Sequence, residues 1–431
     1  MKRHFVAVAI LGLFSYGDAQ ARVIYVSPKG NDSSNGTLHQ PVATPARAIA
    51  IASTGDRLIL RSGNYQLKRS LYVNKAGLTI TSAPNEKVLV SAPTDESSGV
   101  QNVVVITASQ VTLANLEVRG GTYYGIKVDV DEAQNPTKGV VLRNLRVSNT
   151  GRDCIKTFKA DNLLIEKCNI GPSGVRDSSN AEGIDSIASH KITVRDSFIH
   201  DTATNGIYFK GGTTDGLIER CRIINTKHAG ILLGQDTDQE FMRDGTKYEA
   251  IRCTARNNII ANIKGAGMGT YSGDSINFEN NTLYNVAREI GAGVWIGVNR
   301  RNIPARNIRV VNNIIVTGGN RPLWFILNAE GSLKANYNLY YSLVGKPIFR
   351  KESGGQTSNL NWEQWRRIFG TDSHSRVTNP SVDTANLYKP RMGSPAIGRG
   401  LKIQSLQSDF NGNPRKKSNN VSIGAHEVDG R

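Results

Sequence analysis

Asp153, Lys156, Glu182, Asp185, Asn205, Tyr208 and Lys210 fall in three segments of one repeated pattern, DCIKTFK, EGIDSIA and NGIYFKG. Each segment keeps its apolar members, while the polar ones change between acid, amide, phenol and amine. A hard cation such as Ca²⁺ takes several oxygen ligands, and Asp153, Glu182, Asp185 and Asn205 could supply them. A uronate carboxylate bridged to that cation would lose charge, and its C5 proton would become more acidic. A nearby amine could then remove the proton and start a β-elimination. Lys210 is the first candidate base, Lys156 a neutraliser or second base, and Tyr208 an acid for the leaving oxygen. An ordinary lysine ionises near pH 10.4, so a lysine base needs cationic neighbours or partial desolvation. In its own column Lys210 has Ile187 and Gly234 as neighbours, which offer no countercharge.

The same residues have simpler readings. Lys156 beside Asp185 could be an ion pair on a solvated face, worth only about 0–1 kcal/mol. A glycoside hydrolase needs two carboxylates facing each other across a bond, and Glu182 with Asp185 could serve. C5-epimerisation shares the proton abstraction, and a non-catalytic envelope- or polysaccharide-binding protein needs no base at all. The formal charge of +17 favours an anionic partner. The basic residues are dispersed, with no basic helix or RNA-binding signature, so the expected partner is an acidic polysaccharide and not nucleic acid. Nothing points beyond a monomer.

What places these residues is a longer series. YGIKVDV, DCIKTFK, EGIDSIA, NGIYFKG, AGILLGQ, AGMGTYS and AGVWIGV alternate with a second type of segment, such as VLRNLRV, LIERCRI and VVNNIIV. Most intervals are about 23–29 residues, the spacing of stacked solenoid coils. Two-residue alternation rich in Ile and Val, punctuated by Gly, Asn and Asp, reads as strand. One such unit cannot bury its own apolar face, so the coils must stack into a parallel β-helix. Asn257, Asn280, Asn312 and Asn336 occupy repeating positions and predict a ladder of stacked amides, with Cys168, Asp196 and Cys221 continuing it. Two coils separate those cysteines by about 9–10 Å, too far for a disulfide. Superposing the coils puts Lys127, Lys156, Asp185 and Tyr208 in one outward column. Asp129, Phe158, Ile187 and Lys210 form the next, and Asp153, Glu182 and Asn205 stand together at the turn before the strands.

Two further stretches carry a resemblance. IYVSPKGNDSSNGTLHQPVATPARAIAIASTGDRLILRSGNY (24–65) resembles the opening of bacterial right-handed parallel β-helix proteins of the pectate-lyase-like superfold. GSPAIGRG (393–400) and the following DFNGNPR and VSIGAHE are similar to the closing segment of the same proteins. The resemblance implies right-handed coils, and for lyases of this fold acidic calcium ligands beside a lysine or arginine base. Tyr208 stands where the pectate-lyase-like motif has its base, and Lys210 comes later in the strand.

The remaining segments bound the architecture. Lys2 and Arg3, the apolar run 5–14 and Ala19-Gln20-Ala21 read as a signal peptide over 1–21, which implies a secreted or periplasmic protein. No later segment is long and apolar enough to span a membrane. An all-β, single-stranded parallel β-helix is expected over 22–431, with an N-terminal cap and first coils over 22–100, regular coils over 101–345 and an irregular C-terminal cap over 346–431. TPARAIAIASTG predicts a short capping helix, and NLNWEQWRRIFG (359–370) predicts another. The longest insertion, 234–250, follows the fifth glycine-plus-apolar strand and would project as a loop on the binding face. There it could bring Arg243 and Tyr248 to substrate, and His200 lies near enough to be a further contact.

Overall fold

In a computed structural model of the protein, which describes residues 21–328, 333–416 and 420–429, each glycine-plus-apolar segment is a short strand. Tyr124–Val128, Ile155–Phe158, Ile184–Ile187, Ile207–Lys210, Ile231–Leu233, Met268–Tyr271 and Val294–Gly297 follow one another in a twelve-stranded sheet. They pair in parallel, with Ile126, Ile155, Ile184, Ile207, Ile231, Met268 and Val294 in one register column. Every member of that column is fully buried, and burying each such side chain stabilises the fold by about 1.5–3 kcal/mol. In most coils the glycine before this column serves close approach, and Cys154 takes its place in one. A Cβ on Gly183, Gly206 or Gly230 would lie 2.6–2.7 Å from a carbonyl oxygen of the next coil.

The second type of segment is two strands and not one. VLRNLRV becomes Val141–Arg143 and Arg146–Ser148, which belong to different twelve-stranded sheets. Asn144 turns the chain between them with a φ of 51°, and Lys167, Asp196, Arg220, Asn257, Asn280 and Asn312 repeat that left-handed turn in later coils. Asparagine and aspartate tolerate this conformation better than other side chains. The helix therefore has three parallel sheets, with the site sheet as the one built from the glycine-plus-apolar segments.

At the expected positions Asn312 Nδ2 donates to Asn280 Oδ1 at 3.0 Å, and a longer amide ladder runs one residue further on. Asn258 Nδ2 donates to Asn281 Oδ1 at 3.0 Å, Asn281 to Asn313 at 3.0 Å, and Asn313 to Asn338 at 3.1 Å, all buried. Asn257, Asn280 and Asn312 carry the positive φ instead, which aims their side chains outward. They hold the C-terminal tail: Asn257 donates to Ser408 O at 2.7 Å, Asn280 to Ser422 O at 3.1 Å and Asn312 to Leu401 O at 2.6 Å. Asn336, the fourth expected member, donates to Ser373 Oγ. Cys168 and Cys221 flank Ser197, not Asp196, on the inner ladder. All four cysteines are buried and free.

Thr44 caps the first helix, Pro45–Ile51, by accepting from Arg47 N, and Ala48 and Ile49 pack over the first coils. Asn361 and Gln364 form a capping box on the second helix, Trp362–Phe369, which ends at a left-handed Gly370. Its Trp365 is fully buried, 5.2 Å from the Trp324 ring and 5.1 Å from Phe349. The last segment does more than cover the end, since its bonds to Asn312, Asn280 and Asn257 lay it along the outside of three coils. Residues 1–20, which hold nearly all of the expected signal peptide, lie outside the described residues. Among the described residues no helix is long and apolar enough to cross a membrane.

Candidate active site

The register brings the expected column together. Lys127 pairs with Lys156, Lys156 with Asp185, and Asp185 with Tyr208. The alternate column carries Phe158, Ile187 and Lys210. At the turn before these strands Glu182 N donates to Asp153 Oδ1 at 2.9 Å, and Asn205 Nδ2 donates to Glu182 Oε1 at 3.1 Å. Asp153, Glu182 and Asp185 thus converge, with one carboxylate oxygen of each lying within 4.8 Å of the others. All three side chains are buried although they point away from the solenoid core. One oxygen on each, Asp153 Oδ2, Glu182 Oε2 and Asp185 Oδ1, is buried and receives no hydrogen bond.

Two amines close over this floor. Lys156 Nζ hydrogen-bonds Asp185 and lies 3.4 Å from Asp153 Oδ2. Lys210 Nζ lies 3.5 Å from Asp185 Oδ2 and 4.3 Å from the centre of the Tyr208 ring. The expectation that Lys210 has no counterion is therefore corrected. Its flexible stem crosses the ring of Tyr208 and reaches a carboxylate one column away, which a comparison along its own column cannot show.

Charge is unevenly held in this group. Burial pushes Asp153 well above the ordinary carboxylate range, with Glu182 and Asp185 adding to the effect and Lys156 opposing it. Burial acts on Asp185 too, but the ammoniums of Lys156 and Lys210 outweigh it and hold that carboxyl below its usual value. Lys156 is buried, which disfavours its charge, yet Asp185 and Asp153 more than compensate and push it up. Burial also pushes the Tyr208 phenol well up. Asp185 is then the firmly ionised acid and Asp153 the one that most readily keeps a proton.

The long insertion folds down beside the cluster. Asp236 N donates to Tyr208 Oη at 3.3 Å, and the Phe241 ring stands edge-on to Phe158. Glu249, fully buried, accepts from Gly211 N and Thr237 N and pairs with Arg301 at 2.8 Å. Asp236 accepts from Arg300 N, and Asp238 pairs with the Arg300 side chain. Nothing in the sequence pairs the 234–250 loop with Arg300 and Arg301, because they come from a separate insertion two coils on.

Several expected contacts are committed elsewhere. Arg243 pairs with Asp161 through both Nη atoms, at 2.5 and 3.0 Å, and donates to Ala188 O. It anchors the loop and is not free for substrate. Tyr248 is buried, with the Arg306 guanidinium 4.5 Å from its ring. His200 belongs to a strand of another sheet, where it bonds Asn169 and Asp201 and stacks on Phe198. Asn205 donates its amide to Glu182 and accepts from Ala229 N through its oxygen, so it orients a carboxylate.

Beyond Tyr208 the outward column becomes Leu232, Gly269, Trp295 and Phe325. A cleft of about 330 Å³ opens there, lined by Asn205, His228, Leu232, Gln235, Tyr271 and Trp295 among others. Trp295 lies 5.8 Å from the Tyr271 ring and 4.6 Å from the Phe325 ring. The superposition that gathers Asp185 and Tyr208 also places Trp295, so this aromatic continuation was open to sequence reasoning and missed by it.

Comparison with known proteins agrees with the fold. Residues 130–315 match a family model described as a right-handed beta helix region, and residues 24–170 match one described as a Pel9A-like right-handed beta helix region. The crystal structure of pectate lyase Pel9A superposes with a TM-score of 0.60 at 14% identity, over 95% of this chain and 96% of that one. A GH136 lacto-N-biosidase from Eubacterium ramulus follows at 0.53 and 13% identity, over 77% and 67%. PfbA, a surface adhesin of Streptococcus pneumoniae, matches at 0.52 and 13%, over 72% and 88%. No curated protein sequence matches the chain. The molecule is a right-handed parallel β-helix, and its similarities include a Pel9A-like family model and a pectate lyase structure.

Proposed function

We propose that the protein is an exported lyase that cleaves a uronate-containing polysaccharide by β-elimination. The observation that carries this reading is the buried group of three carboxylates, each with one oxygen that accepts no hydrogen bond, set under two lysines on an outward face. The donor set fits a hard, oxygen-loving cation, and Asp153, Glu182 and Asp185 are the residues that would hold Ca²⁺. When bound, the ion would neutralise those carboxylates together with the substrate's own, which raises the acidity of the C5 proton.

The chain's own groups divide the remaining work. Lys156 is held protonated between Asp185 and Asp153, so it cannot accept a proton and instead offers positive charge to a uronate carboxylate. Lys210, whose ammonium pairs with Asp185 at rest, is the other amine; it must first release a proton to solvent, and its free Nζ then takes the proton from C5. The electron pair of the C5–H bond forms the C4–C5 double bond, and the C4–O glycosidic bond breaks. Tyr208, kept as a phenol by burial, donates a proton to the leaving oxygen. Asn205 holds Glu182 in place, and the Glu249–Arg301 latch keeps the insertion over Tyr208.

Hydrolysis fits this geometry less well. The carboxylate oxygens gather within 4.8 Å on one floor, whereas retaining glycosidases hold their two carboxyls about 5–5.5 Å apart across the sugar bond. The pectate lyase fold similarity agrees with the proposal without carrying it. The test is a screen of polygalacturonate, alginate, chondroitin, hyaluronan and bacterial exopolysaccharides. Elimination yields unsaturated uronate ends that absorb in the near ultraviolet. New reducing ends without that absorbance would make the enzyme a hydrolase, and binding with neither product would make it a binding protein.

A further inference from the structure

Resting on the elimination reading, we propose that the aromatic cleft beside the acidic cluster holds an uncharged pyranose. The substrate is then a heteropolymer in which a neutral or N-acetylated sugar neighbours the uronate, not a homopolyuronate.

Leu232, Tyr271 and Trp295 supply the cleft's apolar surface, with His228, Gln235 and Asn205 at its polar edge, and no lysine, arginine or carboxylate lines it. A uronate placed there would give up the water around its charge without an ion pair in return, a large cost. The carbon-bound hydrogens of a neutral pyranose suit an aromatic wall, while its hydroxyls can reach polar groups at the edge.

Gly269 stands between Leu232 and Trp295 in the outward column. A Cβ on Gly269 would lie 2.8 Å from Trp295 O, so close approach of the next coil requires glycine there, and no side chain stands between Leu232 and Trp295 in the column. Tyr271 and Trp295 are both partly exposed and stand on the cleft wall.

Position completes the case. Asn205 belongs both to the carboxylate group, through Glu182, and to the cleft lining. The Gly269 strand is two strand spacings beyond the Tyr208 strand in the same sheet, roughly 10 Å. A polymer running along the helix axis with its uronate at Lys210 therefore puts one of its next sugars in the cleft. Positive charge meets the substrate at Lys156 and Lys210, and the contact changes to uncharged aromatic surface within that distance.

Binding separates this inference from the reaction. Calorimetry on the Lys210→Ala protein, which does not turn substrate over, would compare hyaluronan tetrasaccharide, cellotetraose and chitotetraose with tetragalacturonate. At least one of the three probes with neutral sugars should bind, and Trp295→Ala should weaken it at least tenfold. Trp295→Tyr should restore it to within about threefold, which a merely unfolded variant could not show. Tetragalacturonate affinity should move less than twofold in either variant. The inference is overturned if no probe with neutral sugars binds, if Trp295→Ala leaves their affinity unchanged, or if tetragalacturonate loses as much as they do. Trp295-dependent binding without any unsaturated product from the active protein would sink the lyase reading and leave the cleft assignment standing.

Discussion

Asp185 and Asp153 are both buried acids touching Lys156, yet their amide replacements should behave oppositely. Asp185 is fully buried and is the meeting point of both ammoniums. Asp185→Asn strands Lys156 and Lys210, whose side chains are only 12% and 15% exposed. Removing one partner of a buried pair costs about 3–5 kcal/mol. Asp153, 3.4 Å from Lys156, can ionise and take over part of the pairing, and the Lys210 stem can swing toward water. The expected loss at pH 7 is therefore about 2–3 kcal/mol. Asp153→Asn keeps the Oδ1 acceptor for Glu182 N and removes a carboxyl whose ionisation burial already opposes. It should cost nothing or stabilise. The pH dependence has a definite sign in each case. The Asp185 carboxyl is depressed by folding, so its contribution is present above about pH 4 and lost as pH falls through its lower folded value. The Asp185→Asn deficit should shrink in that acid range. The Asp153 carboxyl is raised by folding, so the wild type loses stability as pH climbs from about 4 through the folded value. The Asp153→Asn protein should gain on it between pH 4 and 8. Thermal melts of the three proteins from about pH 2 to 8 measure both trends. Equal destabilisation by the two substitutions at pH 7 would refute the charge assignment.

Two other outcomes follow from the same contacts. Titrating Ca²⁺ into EDTA-stripped protein should give binding heat and a raised melting temperature, and Glu182→Gln should weaken that binding at least tenfold. Absence of both signals would remove the cation from the mechanism. Glu249→Ala leaves Arg301 and the N–H groups of Gly211 and Thr237 without their acceptor, a loss of about 3 kcal/mol. It should release the 234–250 insertion to limited proteolysis, and an unchanged cleavage rate would show that the latch does not hold the loop.

Much of this molecule is legible in the chain because a solenoid repeats its rules. Each Gly-Ile step recurs since the next coil's carbonyl leaves no room for a Cβ, and superposing those steps places Lys156, Asp185 and Tyr208 in the column they occupy. The longer amide ladder lies one residue beyond the expected one because adjacent asparagines, such as Asn257 and Asn258, have different duties. One adopts the left-handed turn and the other stacks inside, and the residue type alone does not separate them. Long side chains and insertions escape the repeat altogether. Lys210 leaves its column for Asp185, Arg243 is drawn to Asp161, and Glu249 meets Arg301 across two insertions. Register is a property of the backbone, and these contacts depend on how far a flexible side chain reaches.

The most direct test of the account is the near-ultraviolet absorbance produced by the wild-type and Lys210→Ala proteins on whichever acidic polymer the screen identifies. Lys156 remains to pair with Asp185 after the substitution, so the fold and polymer affinity should change little. The account predicts unsaturated product from the wild type and a loss of at least a thousandfold in its rate from Lys210→Ala. Elimination that proceeds at the wild-type rate without Lys210 would contradict it.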